Sequence, residues 1–495
     1  MTLGKHKAIA LSLATGGLLL LGLLLLLTGA PPAARADAGR WFATPGGAGD
    51  CSQADPCDLQ TALSAAGGGD TIYLAQGTYT GTGTAVVSLT KDVALYGGWD
   101  GAATGEPLRK PAATVTTLDG ESIRRVVYIT GTIAPVLDGL VIAHGSADGL
   151  GGWSTYDAGG GIYVHGASPV ISRCTITNNS AGPASATGNG AGGGLFLFDS
   201  DAQLETCRVI SNAARWGGGA RVVWGGPILR RSQFLSNTSL YGGGAYLMWA
   251  RGLVEETVFL DNSADFGGGL YLSGASSAIK GNLIERNQAR TGGGIGINWG
   301  SSPVVVSGNR ILGNQANHGG GMNVEYNDSQ LENNFIAGNE ALYGAGIRVE
   351  EACPVLSHNT LANHAGTLAE GIRVDEGASL LMANTILVSN TVGIQVRDAS
   401  SATLEATLWY GNGSDTGGGG SIHTGAVNVW GDPAFVDPAA YDYHLLEGSP
   451  AMNAGVDAGV TTDIDGDKRP QGAGYDMGAD EYPAPYAMYL PLVLR

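Results

Sequence analysis

Short runs of alternating apolar and polar residues recur along most of the chain, and many of these runs follow a glycine triplet. Between Trp216 and Leu272 the triplets Gly217–Gly219, Gly242–Gly244 and Gly267–Gly269 recur every 25 residues. The residues one and three positions after the third glycine are apolar; examples are Ile162 and Val164, Leu195 and Leu197, Ile295 and Ile297, Ile347 and Val349, and Ile372 and Val374. Alternation with a period of two is typical of β-strands that bury one face. A fixed period of this length is typical of a solenoid.

An asparagine keeps the same register as the glycines. It lies seven residues before the third glycine at Asn212, Asn237, Asn262, Asn287, Asn314 and Asn339. Glycine permits the positive φ of a tight corner, and stacked asparagine amides can hydrogen-bond from coil to coil. We therefore predict an all-β fold, a parallel β-helix solenoid in which each repeat is one coil. The repeated Gly and Asn residues would then be scaffold rather than chemistry.

The ends of the chain differ from the repeats. Residues 1–36 contain Lys5 and Lys7, a long apolar run and Ala34-Arg35-Ala36, which predicts a secretory signal peptide; an uncleaved membrane anchor is the alternative. Residues 37–150 are predicted as an N-terminal cap with the first coils, and they include one short amphipathic helix over residues 58–66 that would cover the open end.

The regular coils of about 25 residues are predicted over residues 151–412. An irregular C-terminal cap follows over residues 413–482, and an apolar tail over residues 483–495. No stretch after the signal peptide is long and apolar enough to suggest a transmembrane span.

The repeats resemble a known family. Phe234-Leu235-Ser236-Asn237 and Phe259-Leu260-Asp261-Asn262, each followed by a glycine triplet, are similar to the FxxN and GGA[ILV] repeats of polymorphic outer-membrane proteins, within the right-handed, pectin lyase-like β-helix class. Ile284, Ile311 and Ile336 depart from the Phe of this pattern. The class includes adhesins, polysaccharide lyases, glycoside hydrolases and epimerases, so the resemblance indicates architecture and leaves activity open.

A second resemblance lies near the C-terminus. Residues 432–482, with Asp463-Ile464-Asp465-Gly466-Asp467 and Asp476-Met477-Gly478-Ala479-Asp480-Glu481-Tyr482, look like the choice-of-anchor Q module of exported bacterial proteins. This resemblance implies secretion or display at the cell surface, in a bacterial envelope.

The charge of the chain limits its partners. Removing Lys5, Lys7 and Arg35 with the signal peptide changes the formal net charge from −18 to −21. Such an acidic surface disfavours nucleic acid and anionic lipid as partners, and it disfavours polyuronates in the absence of a local basic patch or Ca²⁺.

The five cysteines are compatible with an oxidising compartment. Cys51 and Cys57 are close enough in the chain to form a disulfide in the N-terminal cap. Cys174 and Cys207 occupy the same position in successive coils, about 4.8 Å apart if strands stack. They would form either a disulfide or a reduced, buried pair.

An ionic set of candidate catalytic residues follows the strands of the later coils. Glu325, Glu350 and Asp375 should stack on one face, which suits general acid/base catalysis, glycoside hydrolysis or a Ca²⁺ site. Arg348 and Arg373 lie two residues earlier and would hold a carboxylate or stabilise a developing enolate. The alternative is an exposed ladder of compensating charges.

Aromatic residues form candidate ligand-binding rows in the earlier coils, because ring faces can bind sugars by stacking. Tyr163, Phe196, Tyr246 and Tyr271 lie between the two apolar positions and should point outward. Trp216, Tyr241 and Phe266 immediately precede the triplets, and Trp249, with Trp224 and Trp299, follows the strands. The alternative is a stack of rings that only seals a corner.

The C-terminal cap contains a weak candidate for a Ca²⁺ loop. Asp463, Asp465 and Asp467 alternate around Gly466, but the glycine and glutamate positions of an EF-hand loop are not matched. A structural turn held by Arg469 is the alternative. No cofactor is required by any motif, and the histidines have no metal-binding spacing.

Three hypotheses on function follow. The first is an exported, surface-associated β-helix that binds glycans or cell-surface partners, as an adhesin does. The second is a polysaccharide lyase or glycoside hydrolase that uses the ionic set. The third is a structural spacer at the cell surface.

Overall fold

The computed structural model describes residues 39–182 and 189–483. In these ranges the chain winds into stacked coils, and neighbouring coils pair through parallel strands. Ala220–Val223 pairs with Ala245–Met248, for example, with Arg221 opposite Tyr246. The 25-residue register of the glycine triplets is therefore the register of the strand ladders. The predicted signal peptide and the tail from residue 484 onward lie outside the described residues.

One face of the stack carries a single strand from each coil. In the described part of the chain its strands are Ala85–Leu89, Arg125–Thr130, Ile162–His165, Leu195–Phe198, Ala220–Val223, Ala245–Met248, Leu270–Ser273, Ile295–Asn298, Met322–Glu325, Ile347–Glu350, Glu370–Asp375, Val392–Val396 and Ser414–Gly417. We call this face the triplet sheet, because the strands from Ile162–His165 to Met322–Glu325 each directly follow a glycine triplet.

The rest of each coil contributes two strands to a second, larger sheet. Its first ladder consists of Arg40–Ala43, Thr71–Ala75, Ala94–Trp99, Val136–Asp138, Val170–Ser172, Gln203–Glu205, Ile228–Arg230, Leu253–Glu255, Ala278–Lys280, Val305–Ser307, Gln330–Glu332 and Val355–Ser357. Its second ladder consists of Gly77–Tyr79, Thr116–Asp119, Val141–Ala143, Thr175–Thr177, Arg208–Ile210, Gln233–Leu235, Val258–Leu260, Leu283–Glu285, Arg310–Leu312, Phe335–Ala337 and Thr360–Ala362. The long strands Ser379–Val388 and Ser401–Tyr410 join both ladders, and Ser421–Thr424 and Asn428–Trp430 complete them.

The core lies inside the coils, as the alternation predicts. Ile162 and Val164 are fully buried in it, and so are the equivalent pairs of the other coils. Full burial of one such side chain contributes about 1.5–3 kcal/mol. Stability therefore accumulates along the stack rather than within one coil.

The asparagine ladder connects the coils at a buried corner. Asn237 donates both its backbone N–H and its Nδ2 to Oδ1 of Asn262, each at 2.9 Å. Its Nδ2 also donates to the carbonyl of Val209 in the preceding coil at 2.9 Å. One amide side chain thus satisfies backbone groups of the corner that the strands leave unpaired.

The N-terminal end is covered by the predicted helix. It spans Leu59–Ala65, and the carboxylate of Asp58 caps it by accepting the N–H of Thr61 at 2.9 Å. Leu59 and Ala62 are buried in the core of the solenoid. Cys51 and Cys57 form a disulfide beside it.

Cys174 and Cys207 occupy neighbouring coils, and both remain thiols buried in the core. Each thiol donates to backbone carbonyls: Cys174 to Ser172 at 3.3 Å, and Cys207 to Ile171 at 3.4 Å. Of the two alternatives, a disulfide or a reduced and buried pair, the structure shows the reduced pair.

The chain after the last coil folds back along the side of the stack. The ladders continue past Asn412 to Trp430. The remainder contains the antiparallel strands Phe435–Asp437 and Asp442–Leu445, joined by the 3-10 helix Pro438–Ala440. Its buried residues Tyr443, Leu445, Ala451, Met477 and Ala479 pack on Leu312, Phe335, Ala337, Ala362, Ile386, Val388, Ala406 and Leu408 of the second ladder. The C-terminal segment is therefore irregular, and it covers an outer side of the solenoid.

Short additional strands complete the described part. Gly152–Trp153 and Tyr156–Ala158 form a hairpin that pairs with Gly190–Ala191, and Ser180–Ala181 pairs with Ala213–Ala214. None of the helices in the described residues has the length and apolarity needed to cross a membrane.

Candidate functional site

The outward aromatic residues of the triplet sheet are buried, contrary to the prediction that they form a ligand-binding row. Phe196 is 0% exposed, and Tyr163, Tyr246 and Tyr271 are also buried. The hairpin Gly152–Ala158 lies over the first two: Tyr163 donates its hydroxyl to the carbonyl of Gly152 at 2.7 Å, and the ring of Trp153 contacts Phe196.

Tyr246 and Tyr271 are covered by the second predicted row. Tyr241 contacts both rings, with centroids 6.1 and 5.5 Å apart, and Phe266 contacts Tyr271. Trp216, Tyr241 and Phe266 do stack on successive coils, and the last two rings lie 4.8 Å apart and 9° from parallel. These rings are half-buried, and Tyr241 and Phe266 pack against Tyr246 and Tyr271, so the row seals a corner of the coil.

A buried arginine lies among these aromatic residues. Arg221 projects from the triplet sheet between the rings of Trp153 and Tyr246, with its guanidinium carbon 4.6 and 4.4 Å from their centroids. Burial lowers the pKa of Arg221 to about 10. The faces of the rings stabilise this cation in place of a carboxylate.

The candidate catalytic carboxylates lie in register, as predicted. Glu325 is opposite Glu350, and Glu350 is opposite Asp375, on neighbouring strands of the triplet sheet. Arg348 and Arg373 form the adjacent pair. The structure therefore brings together all five residues of the predicted ionic set.

Most of the charged side chains of this set form ion pairs with one another. Arg348 pairs with Glu350 and also donates Nε to Asp375 at 3.1 Å. Arg373 donates to the same oxygen of Asp375 at 2.7 Å and to Glu370 at 2.8 Å. Side chains held in this way cannot hold a substrate carboxylate without losing their present partners.

Glu325 differs from the other carboxylates of the set. It accepts one hydrogen bond, from Nδ2 of Asn298 at 2.8 Å, and has no arginine partner among the described residues. Burial raises the pKa of Glu325, and the neighbouring charge of Glu350 raises it further. A carboxyl with a raised pKa is suited to donate a proton.

A pocket of about 540 Å³ opens beside the ionic set. Its lining includes His318, Tyr343, Arg348, Arg373, Asp375 and Arg397. Burial lowers the pKa of His318, and the charge of Arg348 adds to the effect. Glu325 and Glu350 are not part of this lining. The acid with the raised pKa and the pocket are therefore separate features.

An open aromatic site lies where the strands of the middle coils end. Trp224 and Trp249 are 45% and 48% exposed, and their rings lie 5.7 Å apart and 19° from parallel. Trp299 and Tyr326 continue this exposed line on later coils, with ring centroids 5.8 Å apart. Trp249 was predicted as a ligand-binding residue and is the member of the predicted set that is exposed here.

The backbone at these positions has the left-handed conformation of the coil turns. Trp224, Trp249 and Trp299 all have positive φ, between 53° and 60°. Large side chains seldom adopt this left-handed conformation, since it costs about 1 kcal/mol or more. Asp199, Tyr326 and Glu351 have the same conformation at the equivalent position of other coils, so it is a property of the coil turn.

A groove of about 470 Å³ runs between the two stacked indoles and the neighbouring turns. It is lined by Asp199, Asp201, Trp224, Gly225, Gly226, Trp249 and Arg251, and we call it the tryptophan groove. Asp201 is held by accepting the N–H of Gly226 at 2.7 Å. The ring of Trp249 lies over Gly274 of the next coil, where a β-carbon would clash with its Cδ1. Stacking faces and hydrogen-bonding groups are therefore combined in one open site.

The predicted Ca²⁺ loop is a structural turn. Oδ1 of Asp463 accepts the N–H groups of Asp465 and Asp467 at 3.0 and 2.8 Å, and Oδ2 accepts the N–H of Glu481 at 3.1 Å. In the described residues, the carboxylate oxygens of Asp463, Asp465 and Asp467 do not form a group within 4.8 Å of one another. Arg469 ties this region through a fully buried ion pair with Glu481 at 2.8 Å.

Comparison with known proteins supports the architecture. A family model described as "Right handed beta helix region" matches residues 225–369. The chain is a right-handed parallel β-helix. A search of curated protein sequences found no match.

Several solved structures are similar to this chain at low identity. A periplasmic alginate epimerase is 13% identical, with a TM-score of 0.45, and the match covers 61% of this chain and 77% of that one. An α-1,3-glucanase catalytic unit from Streptomyces thermodiastaticus is 16% identical, with a TM-score of 0.40 and coverage of 81% and 70%. A surface adhesin of Streptococcus pneumoniae is 11% identical, with a TM-score of 0.35 and coverage of 75% and 88%.

Sequence reasoning missed part of the tryptophan groove. Asp199, Asp201 and Arg251 lie in turns after the strands, where no alternating pattern marks them. The available signal was the register: Arg251 lies two residues after Trp249, and Asp199 and Asp201 occupy the equivalent positions two coils earlier.

Proposed function

We propose that this protein is an exported β-helix protein that binds neutral glycans in the tryptophan groove and does not turn them over. The observation that carries the proposal is the exposed, nearly parallel pair Trp224 and Trp249, flanked by carboxylates and an arginine.

The chemistry of the groove fits a sugar chain. The indole faces and edges can contact the apolar C–H face of a pyranose ring. Asp199, Asp201 and Arg251 supply hydrogen-bond acceptors and donors for hydroxyl groups. Two carboxylates against one guanidinium disfavour a polyanionic chain, and the acidic protein as a whole does so too.

Export and surface association are part of the proposal. They are supported by the signal-type residues 1–36 and by the anchor-like sequence of residues 432–482. In this setting the exposed line from Trp224 to Tyr326 would engage a polysaccharide of a neighbouring cell or of the matrix, as an adhesin does.

A polysaccharide lyase or hydrolase is the second candidate function. The raised pKa of Glu325 and the pocket beside Arg348 and Arg373 favour it. It is the weaker candidate because Glu350 and Asp375 are engaged with arginines, which leaves no partner carboxylate for Glu325 to work with. A spacer that binds nothing is the third possibility, and it predicts no ligand.

One set of measurements distinguishes the three candidate functions. Purified protein is applied to an array of neutral and uronate oligosaccharides, and reducing ends and the absorbance of unsaturated products are followed in parallel. The proposal predicts binding of neutral glycans, weakened by Trp249→Ala and unchanged in Glu325→Gln, without product. Turnover that is lost in Glu325→Gln would establish the enzyme instead, and the absence of both binding and turnover would leave the spacer.

A further inference from the structure

Three side chains from distant parts of the C-terminal segment meet on the outer side of the solenoid. A nitrogen of His444 and carboxylate oxygens of Asp465 and Asp480 all lie within 4.8 Å of one another. His444 comes from the strand Asp442–Leu445, Asp465 from a turn 20 residues after that strand, and Asp480 from the end of the segment. We propose that these residues form a binding site for a divalent transition-metal ion of the Zn²⁺ type.

The donor set fits such an ion. One imidazole nitrogen and two carboxylate oxygens are ligands that Zn²⁺ accepts in proteins, whereas Ca²⁺ prefers an all-oxygen set of six to eight ligands. In the structure Nε2 of His444 lies 2.8 Å from Oδ2 of Asp465. An ion between them would replace this contact with two coordination bonds.

The histidine is oriented as a metal ligand usually is. Its Nδ1 lies against Oδ1 of Asp442, which is outside the proposed ligand set. A carboxylate that accepts the second ring N–H fixes the tautomer and leaves Nε2 free to coordinate. The ring also packs edge-on against Phe335, with centroids 5.4 Å apart.

Asp480 supplies an independent reason for a cation. Asp480 is 6% exposed. Among the described residues its carboxylate accepts one hydrogen bond, from the N–H of Leu445 at 2.7 Å. A buried carboxylate with so little compensation is costly unless a cation lies beside it. The side chain of Arg310 does not fill this role, since its Nη2 donates to the carbonyl of Tyr441 at 2.7 Å.

The site has an entrance and room for a further ligand. A cavity of about 220 Å³ reaches His444 and Asp465 and is otherwise lined by Gly281, Asn282, Leu283, Gly308, Arg310 and Ile464. The side chain of Asp465 is 57% exposed. Three protein ligands would leave a coordination position for water on the cavity side. Because the ligands come from three separate parts of the C-terminal segment, the bound ion would also cross-link these parts.

Zinc titration of the full chain tests the site. Protein treated with a chelator and exchanged into chelator-free buffer is titrated with ZnCl₂ by calorimetry, metal content is measured after dialysis, and the melting temperature is recorded with and without Zn²⁺. We expect about one bound Zn²⁺ per chain and a higher melting temperature when it is bound.

Variants assign the ion to these residues. Asp480→Asn keeps the shape of the side chain and its acceptor for Leu445, so the fold should persist while Zn²⁺ affinity falls at least tenfold. His444→Gln should have the same effect, and Asp442→Asn should weaken binding about 10- to 100-fold through the orientation of the ring. His423→Gln, at an exposed histidine in the strand Ser421–Thr424, is the matched control and should bind as the unchanged protein does.

Two results would overturn the proposal. One is the absence of Zn²⁺ uptake by the unchanged protein, which would mean that a protonated His444 alone compensates the carboxylates. The other is uptake that persists in both His444→Gln and Asp480→Asn.

Discussion

Trp224 and Trp249 stack on consecutive coils with their ring planes 19° apart and their centroids 5.7 Å apart. Their coils are in register because Ala220–Val223 pairs directly with Ala245–Met248. Residues 25 positions apart in sequence thus form one surface. The regular solenoid converts a repeated position in the chain into a linear array of side chains, which is the geometry a polymeric ligand requires.

The glycine beneath Trp249 should matter for binding. Gly274→Ala places a methyl group against the indole, so the ring must tilt and the groove should lose affinity for its glycan. Gly281→Ala is a matched control, because Gly281 has the same φ of 63° but nothing within 4 Å of the added carbon. Both variants should lose about 1 kcal/mol of unfolding free energy through backbone strain. Only Gly274→Ala should weaken binding in calorimetry, and equal affinities in the two variants would show that the ring position is irrelevant.

The asparagine ladder should be a main source of stability. Asn262→Ala removes the acceptor for the N–H and Nδ2 of Asn237 and the donor to the carbonyl of Phe234. Since these groups stay buried, we expect a loss of about 3 kcal/mol or more in the free energy of unfolding. Chemical denaturation measures it, with the exposed Asn317→Ala as the control that should change by about 0.5 kcal/mol or less. A similar small loss in both variants would contradict a structural role for the ladder.

One position of this ladder is a histidine, and it should make the fold sensitive to acid. Nδ1 of His364 accepts the N–H of Asn339 at 3.2 Å, and burial lowers the pKa of His364 to about 3. Burial also lowers the pKa of His358 to about 3.

The sign of the pH effect follows from these pKa values. Above pH 6.5 both histidines are neutral in the folded and unfolded chain, and they add no pH dependence. Between that pH and about 3 the unfolded chain binds protons that the folded chain does not, so stability falls by about 1.4 kcal/mol per pH unit for each histidine. His364→Asn restores the ladder and should remove one of these two contributions. Denaturation midpoints at pH 7 and pH 4.5 measure the difference, and an unchanged pH dependence in the variant would refute the assignment.

The ionic set of the later coils should act in stability rather than in ligand binding. Asp375→Asn removes the negative charge that pairs with both Arg348 and Arg373, and we expect a loss of about 3 kcal/mol in the free energy of unfolding. Asp398→Asn, at an exposed carboxylate that lines the same pocket, should leave stability nearly unchanged. Denaturation together with the glycan assay checks this: both variants should bind glycan normally, and loss of glycan binding in Asp375→Asn would move the site to the pocket.

The sequence predicts the scaffold well because the scaffold is periodic. The glycine triplets fix the position of each strand, and the alternation of residues such as Ile295 and Ile297 fixes which face is buried. The stacked asparagines follow from the same register. Each of these features depends only on residues within a coil and on the equivalent positions of its neighbours.

Features that depend on interruptions of the repeat were not predictable in this way. The hairpin Gly152–Ala158 covers Tyr163 and Phe196, yet nothing in the period indicates where an inserted segment will lie. The contact between His444 and Asp480 arises because the C-terminal segment folds back on itself, and the two residues share no pattern in the chain. The repeat register placed Trp249 in line with Trp224, and the alternation placed Phe196 outward. Neither pattern indicated that Trp249 is exposed whereas an inserted segment covers Phe196.

The most direct test of the account is the affinity of the tryptophan groove for the neutral oligosaccharide that binds best on the array, measured by calorimetry. The Trp224→Ala, Trp249→Ala double variant should bind at least about tenfold more weakly, equivalent to about 1.4 kcal/mol, because both stacking rings are lost. The control is Trp430→Ala, which removes an exposed indole on the strand Asn428–Trp430 and should leave affinity unchanged. Equal affinity of the double variant and the control would contradict glycan binding at Trp224 and Trp249.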